Sequence, residues 1–364
     1  MNYYNYGLGK GLADSNCKVD LYTCPETKEH SYESFNIHKI FNGVYGKDRK
    51  LTRLLRYFSA LAKSLASTRK RNSKLCHIHL FQYGPLEFLT CLLSKASGLK
   101  LIATVHDVEA FAGSSSKCIQ TAIFKLADEL IVHNDFSKKE LENSIKDINK
   151  HIKIATIPHG NYINFCNPQD KLYSRNKLGL PTDSKIILFF GQIKKVKGLD
   201  ILIRSLPLIL EREPQAKLLI AGKVWKDSFD SYSELIEELN LSQSILSRIE
   251  YIPDDEVDNY YSAADVIALP YKKIYQSGVL LMAMSYGAIT VSPRLPPMEE
   301  IITDTVNGYL FSPGDHVDLA KKIVQSLKSD DQVRISKSAL SKVTSDHDWK
   351  IIAEMHMQVY KRHV

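Results

Sequence analysis

Short apolar runs alternate with helix-spaced apolar patterns along almost the whole chain, and no other feature restricts the fold as much. Runs at 18–23, 75–80, 101–105, 129–132 and 152–157 read as strands in the first half. Runs at 186–190, 216–221, 249–252, 266–269, 289–291 and 308–311 read as strands in the second. Helical spacing fills the intervals, for example 86–96, 138–145, 199–211, 231–239, 255–263 and 317–329. Strands that alternate with helices form parallel sheets covered on both faces. Two such series, separated near 161–184, predict an α/β architecture of two doubly wound, Rossmann-like domains facing a central cleft. The expected division is 1–165, 166–345 and a terminal helix over 346–364. Ligands of such sheets bind outside the carboxyl ends of the strands. The start departs from this pattern. A doubly wound domain opens on a buried strand, yet the first six residues are polar and aromatic and Leu8–Leu12 already reads as helix. Either the first strand lies upstream of this start or the domain lacks it.

With 44% hydrophobic and 24% charged residues among 364, the chain is globular rather than disordered. No apolar run reaches the ~18 residues of a membrane-spanning helix, and the first ten residues lack the apolar centre of a signal peptide. Cys17, Cys24, Cys76, Cys91, Cys118 and Cys166 show no metal-ligand spacing and read as reduced thiols of a cytoplasmic protein. The net charge of +7 is confined to the first half: residues 1–170 carry 23 Lys and Arg against 16 Asp and Glu, the remainder 25 of each. Ten of those bases lie in 47–74 beside one acid, Asp48. A helix is expected over 48–67, with Leu51, Leu54, Leu55, Phe58, Leu61 and Leu65 on one face and Arg49, Arg53, Arg56 and Lys63 on the other. Such a helix either packs its apolar face on a core and solvates the rest, or, with Lys50 and the four opposite bases, meets an anionic membrane surface. No nucleic-acid motif is present, and aromatic interleaving is sparse.

The loop from Gly191 to Gly198, Gly-Gln-Ile-Lys-Lys-Val-Lys-Gly, joins an apolar strand to a helix start. Glycines let a ligand approach the backbone, amides at a helix start point outward, and Lys194 and Lys197 add charge, so this loop reads as an anion cradle. Gln276, Ser277, Gly278, Val279 and Leu280 form a second loop-to-helix transition, with Ser277 as cap and amides of Val279 and Leu280 facing a phosphate. His106 ends a strand where a ligand-facing residue belongs, and His159 precedes Gly160 at the domain junction.

Taken in order, these segments resemble the retaining glycosyltransferases of family 4, group 1, which have the GT-B fold. Gly191–Gly198 with Leu199 and Asp200 is similar to that family's diphosphate loop, Lys194 standing where arginine is common. The segments 217–222, 249–270 with Tyr271, 275–287 and 295–313 are similar to those that follow it. Thr104–Asp107, Ala127–Leu141 and Ile157–Gly160 fit the first domain, and the segment after Trp349 resembles the helix that returns to it.

The resemblance implies an enzyme that moves a sugar from a nucleotide-diphosphate donor to a glycan or lipid-linked acceptor. It needs no cofactor and no metal, and it works at the cytoplasmic face of a cell membrane in surface polysaccharide assembly. The first domain would then serve the acceptor and the second the nucleotide sugar. His106 would contact or orient reactants, and Lys194 and Lys197 would neutralise the departing diphosphate. One departure stands out. The family's two glutamates, the first touching the donor sugar and the second the ribose, correspond to Ile274 and Met282 here; Gln276 or Glu300 is the available substitute. Two other readings stay open: another GT-B enzyme such as a sugar-nucleotide epimerase, and a catalytically degenerate module that acts as a partner or scaffold.

Overall fold

A computed structural model describes residues 2–27, 34–109, 116–146, 152–226 and 228–364. The elements in chain order are α1 (Asn2–Asp14), β1 (Asp20–Thr23), β2 (Asn36–Lys39), α2 (Lys50–Lys70), β3 (Leu75–Leu80), α3 (Pro85–Ala96), β4 (Lys100–Val105), α4 (Lys117–Leu126), β5 (Glu129–Val132), α5 (Asp135–Ser144) and β6 (Lys153–Thr156). There follow α6 (Lys171–Leu178), β7 (Ile186–Phe190), α7 (Leu199–Leu210), β8 (Lys217–Ala221), α8 (Asp230–Glu238), β9 (Ile245–Arg248), α9 (Val257–Ala263) and β10 (Val266–Ala268). The chain finishes with α10 (Gly278–Ser285), β11 (Thr290–Pro293), α11 (Pro296–Glu299), β12 (Tyr309–Phe311), α12 (His316–Lys328), α13 (Gln332–Asp346) and α14 (Trp349–Lys361). The residues group into two compact units, one running to Gly160 and including His347–Val364, the other Asn161–Asp346.

In the first unit β3-β4-β5-β6 form one parallel sheet and β1-β2 a separate parallel pair. β4 and β5 are apolar and almost wholly buried. The strand β2, Asn-Ile-His-Lys, has no apolar run to announce it. It forms because its register with β1 pairs Leu21 with Ile37 and Tyr22 with His38. Helices α1 and α14 pack together on this unit's core, where Tyr4, Leu8 and Leu12 meet Ile102, Ile131, Trp349, Ile352 and Val359. Glu129, 2% exposed, binds Arg362 at 2.5 Å and His363 at 2.7 Å, so the end of α14 is tied to β5 by charge.

The helix α2 follows the expected apolar face at Leu61, which is buried, and at Phe58 and Leu65, which are half-buried, and departs from it in its first turns. Its buried positions are Ala60, Leu61 and Ser64, with Arg53 and Tyr57 turned the same way. Leu51, Leu54 and Leu55 are exposed instead. The cause lies in the preceding loop: Arg53 donates to the Gly46 carbonyl (2.9 Å), and Arg56 to the Gly43 carbonyl (3.1 Å) and Asp48 (2.6 Å). Those bonds set the rotation of the first turns against the hydrophobic pattern.

The second unit holds one continuous parallel sheet in the order β12-β11-β10-β7-β8-β9. Numbered within the unit this is 3-2-1-4-5-6 read from the β9 edge, the doubly wound arrangement whose direction reverses between β7 and β10. β7, Ile-Ile-Leu-Phe-Phe, is buried on both faces, as a central parallel strand requires. β9 lies at 245–248 rather than the expected 249–252, where Tyr251 is 65% exposed; an edge strand can carry the mixed pattern Ile-Leu-Ser-Arg. One polar tie crosses the sheet's amino end. Asp265 accepts from the Ile186 amide (2.6 Å), Arg175 (2.6 Å) and Lys171 (2.7 Å), which joins β7, α6 and the start of β10. Asn161 and Tyr162 belong to this unit, bonded to the Val343 carbonyl (2.9 Å) and Ser285 (3.0 Å).

Candidate active site

The reversal point of the second sheet is where the loops after β7 and β10 diverge, and both expected anion-binding segments lie there. The Gly191 amide donates to the Ala221 carbonyl (2.9 Å), which continues the ladder beyond β7. Lys195–Lys197 make a single 3-10 turn, closed by the Lys197 amide on the Lys194 carbonyl (2.8 Å), and Gly198 starts α7 at φ +68°. A Cβ at Gly198 would lie 1.8 Å from the Pro270 carbonyl oxygen, so only glycine lets the loop pass β10 this closely. The Lys272 amide donates to the Val196 carbonyl (2.9 Å), and Lys272 pairs with Asp200 at 2.8 Å. Each loop therefore holds the other.

Lys197 Nζ stands 4.0 Å over the Tyr271 ring, a cation–π contact that fixes a mobile side chain. The Tyr271 hydroxyl shares a hydrogen bond with Ser277 Oγ (3.1 Å), and Ser277 Oγ caps α10 by accepting the Leu280 amide (3.1 Å). Lysine, tyrosine and helix cap form one chain of contacts. Lys194 Nζ lies 5.5 Å from the Trp225 ring. Gly191 faces α10 directly, 3.6 Å from a methyl of Val279 when given a Cβ.

The structure thus brings Gly191, Lys197, Ser277 and Val279 together. It uses Leu280 otherwise than expected: the Leu280 amide is taken by the cap, and its side chain is fully buried. The amides left without a partner among the described residues at this helix start are those of Gly278 and Val279. Gln276 Oε1 is buried with no partner among the described residues, an acceptor for a ligand donor. Glu300 is exposed just beyond α11, and Ile274 is buried at 9% exposure. Sequence reasoning missed Tyr271 and Trp225 as ring platforms for the two lysines; an aromatic residue just past a parallel strand was the available signal.

In the first unit His106 follows β4 and is 4% exposed. Its ring stacks on Phe81 at 4.1 Å, and both its nitrogens are engaged: Nε2 with His79 Nδ1 (3.1 Å) and Nδ1 with His133 Nε2 (3.1 Å). Burial pushes the three histidines down, His79 to about 3 and His133 to about 4, so all are neutral near pH 7. The proton positions then follow from one group. The Ile157 carbonyl can only accept, so His133 Nδ1 donates to it (3.0 Å) and His133 Nε2 is bare. His106 must donate from Nδ1, and His79 from its own Nδ1 into His106 Nε2. A hydroxyl reaches His106 only by displacing His79 or His133. His159, 5% exposed, uses Nδ1 on the Gly160 carbonyl (2.7 Å), while its own carbonyl accepts from His347 (2.6 Å).

No helix among the described residues is long and apolar enough to cross a membrane. All six cysteines are free thiols, and burial raises Cys76 to about 11.

Two family profiles match successive parts of the chain: "Glycosyltransferase Family 4" over residues 1–161 and "Glycosyl transferases group 1" over 170–342. The chain is 24% identical to a D-inositol 3-phosphate glycosyltransferase of Corynebacterium urealyticum, covering 99% of this chain and 90% of that protein. An uncharacterized glycosyltransferase of Methanocaldococcus jannaschii is 32% identical over 53% of this chain and 49% of its own length. Among solved structures, a sucrose-phosphate synthase from Thermosynechococcus elongatus superposes with TM-score 0.78 at 22% identity, over 99% of this chain and 92% of that one. Anabaena HepE in complex with UDP and glucose superposes with TM-score 0.74 at 18% identity, over 99% and 95%. The parallel sheets of the two units, the matched profiles and these relatives establish that the chain belongs to the group 1 glycosyltransferases of family 4, with the GT-B fold.

Proposed function

We propose that this glycosyltransferase takes a nucleoside-diphosphate sugar as donor and transfers the sugar with retention, using no metal or cofactor. The observation that carries the reading is the reversal point of the second sheet. There the basic loop 191–198, the ring-held Lys197 and the open amides of Gly278 and Val279 share one place. Diphosphate leaves as negative charge, and preorganised cations and amides favour that charge as it develops. In the proposed step the acceptor oxygen bonds to the anomeric carbon on the face that the phosphate leaves. The carbon–oxygen bond to phosphate breaks, and the acceptor proton passes to the departing phosphate oxygen. Retained configuration then requires no carboxylate nucleophile. The relatives add support, since HepE is described with UDP and glucose.

Titration with UDP, GDP and ADP tests the donor site, and Lys197→Ala should weaken the nucleotide that binds by at least ~1 kcal/mol, roughly fivefold in Kd. Unchanged affinity would remove that lysine from the site. Binding without transfer to any acceptor would favour the degenerate module, the reading that Ile274 and Met282 support.

The acceptor in this reading is a glycan or lipid-linked sugar of surface polysaccharide assembly, reached from the cytoplasmic face of the membrane. Tyr45, Leu51, Leu54 and Leu55 are exposed beside Lys47, Arg49 and Lys50, an apolar and basic combination suited to an anionic bilayer. Reversing charge at Arg49 and Lys50 together should release the protein from phosphatidylserine vesicles in sedimentation, by ~1 kcal/mol per residue. Equal sedimentation of variant and parent would end the membrane assignment. Arg53 and Arg56 are poor choices for this experiment because they hold the 43–48 loop.

A further inference from the structure

Eleven of the twelve histidines fall in the first unit and His316 alone in the second. Six of them make one continuous row of rings through the first unit's core, His356-His77-His79-His106-His133-His159, with neighbouring centroids 4.6–5.6 Å apart. His106, His133, His159 and His356 are buried, and His77 and His79 are half-buried. Tyr4 of α1 lies across four of the rings, those of His79, His106, His133 and His159. From α14 come His356 and Tyr360, whose hydroxyl meets His77 Nδ1 (2.7 Å). For His77, His79, His106, His133 and His356 the hydrogen-bond partners among the described residues are one another, Thr104, Tyr360 and the Ile157 and Ile352 carbonyls. None of these is a carboxylate. The other titratable groups facing the row are Tyr4, Tyr360, His347, and Cys17 and Cys76 beside Tyr360; the hydroxyls and thiols stay neutral in acid. Glu129, Arg362 and His363, at the end of α14, pair with one another.

In the run His79-His106-His133 each bridge holds one hydrogen, and the run ends on a bare His79 Nε2. One added proton settles there with both bridges intact. A second puts two hydrogens into one bridge and breaks it. At His356, Nδ1 donates to the Ile352 carbonyl (2.8 Å) and Nε2 is buried without a partner, so a proton there is a charge in apolar core. We propose that this row is a proton-operated latch: mild acid loads more than one proton onto it in a single step, α1 and α14 lift from the sheet, and the second unit stays folded. The sign follows from burial. A solvated histidine takes its proton near pH ~6.5. Burial holds His79 down to about 3 and His133 and His356 down to about 4, so the open form binds the protons first. Closure is therefore fully favoured above pH ~6.5 and is lost as the pH falls toward ~4. The inference does not depend on the proposed donor or acceptor.

The chain has two tryptophans, Trp349 in this core and Trp225 in the second unit, so the fluorescence of a Trp225→Phe chain reports the latch. Trp349 emission should shift to the red in a reversible step between pH ~6.5 and ~4, steeper than a one-proton titration. Amide exchange in β7 and β8, corrected for the pH dependence of the chemical rate, should stay slow through that step. His356→Leu removes one proton acceptor, so the step should lose about one proton of steepness and move to lower pH. His316→Gln should change neither. Should His356→Leu not fold, His79→Asn makes the same test, because it takes away the open nitrogen of the row. The proposal falls if Trp349 keeps its emission down to pH ~4, or if the step has the slope of a single proton. It falls equally if β7 and β8 open with the first unit, or if the histidine variants leave the step where it was. Loss of the step in Glu129→Gln would also overturn it, by assigning the transition to the ion pair at the end of α14.

Discussion

Gly198→Ala should lower the melting temperature of the second unit by roughly 5–10 °C and abolish measurable nucleotide binding. The added Cβ meets a backbone oxygen 1.8 Å away, that of Pro270, which no rotamer change can relieve. The position also has φ +68°, where a side chain costs about 1–2 kcal/mol. Strain and overpacking together come to ~3 kcal/mol, and a domain of this size loses about 2–4 °C per kcal/mol. Gly179→Ala isolates the backbone contribution, since Gly179 has φ +66° with nothing within 4 Å of its Cβ. Calorimetry of the pair decides the matter. If both variants melt alike, the close passage of the basic loop against β10 is not what glycine serves there.

Asp265→Ala should cost the second unit about 3–5 kcal/mol, the scale of removing one partner from a buried ion pair. Arg175 is the reason. Its side chain is 7% exposed, and Asp265 is its only carboxylate partner among the described residues. The Ile186 amide loses its acceptor in the same change. Two other bonds of Arg175, to the Ala263 (3.1 Å) and Thr182 (2.8 Å) carbonyls, survive and hold the estimate at the lower end. Urea denaturation of the variant gives the number. A loss below ~1 kcal/mol would mean that water replaces the carboxylate and that the tie across β7 and β10 is dispensable.

Much of the fold was legible because central parallel strands are continuous apolar runs. β3, β5 and β7 lie where those runs lie. What was hidden is edge structure. β2 reads Asn-Ile-His-Lys and β9 Ile-Leu-Ser-Arg, and each is specified by a neighbour's register rather than by its own composition. The rotation of α2 was hidden for a related reason, since Arg53 and Arg56 bind carbonyls of a loop that no periodicity describes. At the candidate site, the glycines and lysines of 191–198 were visible as chemistry. The pairing of Lys197 with Tyr271, 74 positions later in the chain, was not. The histidines show the same limit. His106 stood out alone, yet its state is set by His79, His133 and one carbonyl at Ile157, which only the parallel register of β3, β4 and β5 brings together.

The chain leaves its first unit after Gly160 and re-enters at His347, and α14 then supplies Trp349, Ile352 and Val359 to the core begun by α1. On the ribosome this has a consequence for timing. The second unit is complete in sequence, and free to fold, while the first still lacks the helix that covers Leu8, Leu12, Ile102 and Ile131. The earlier-made half is therefore the later to mature, and its exposed apolar face in that interval is where a nascent-chain chaperone has reason to bind.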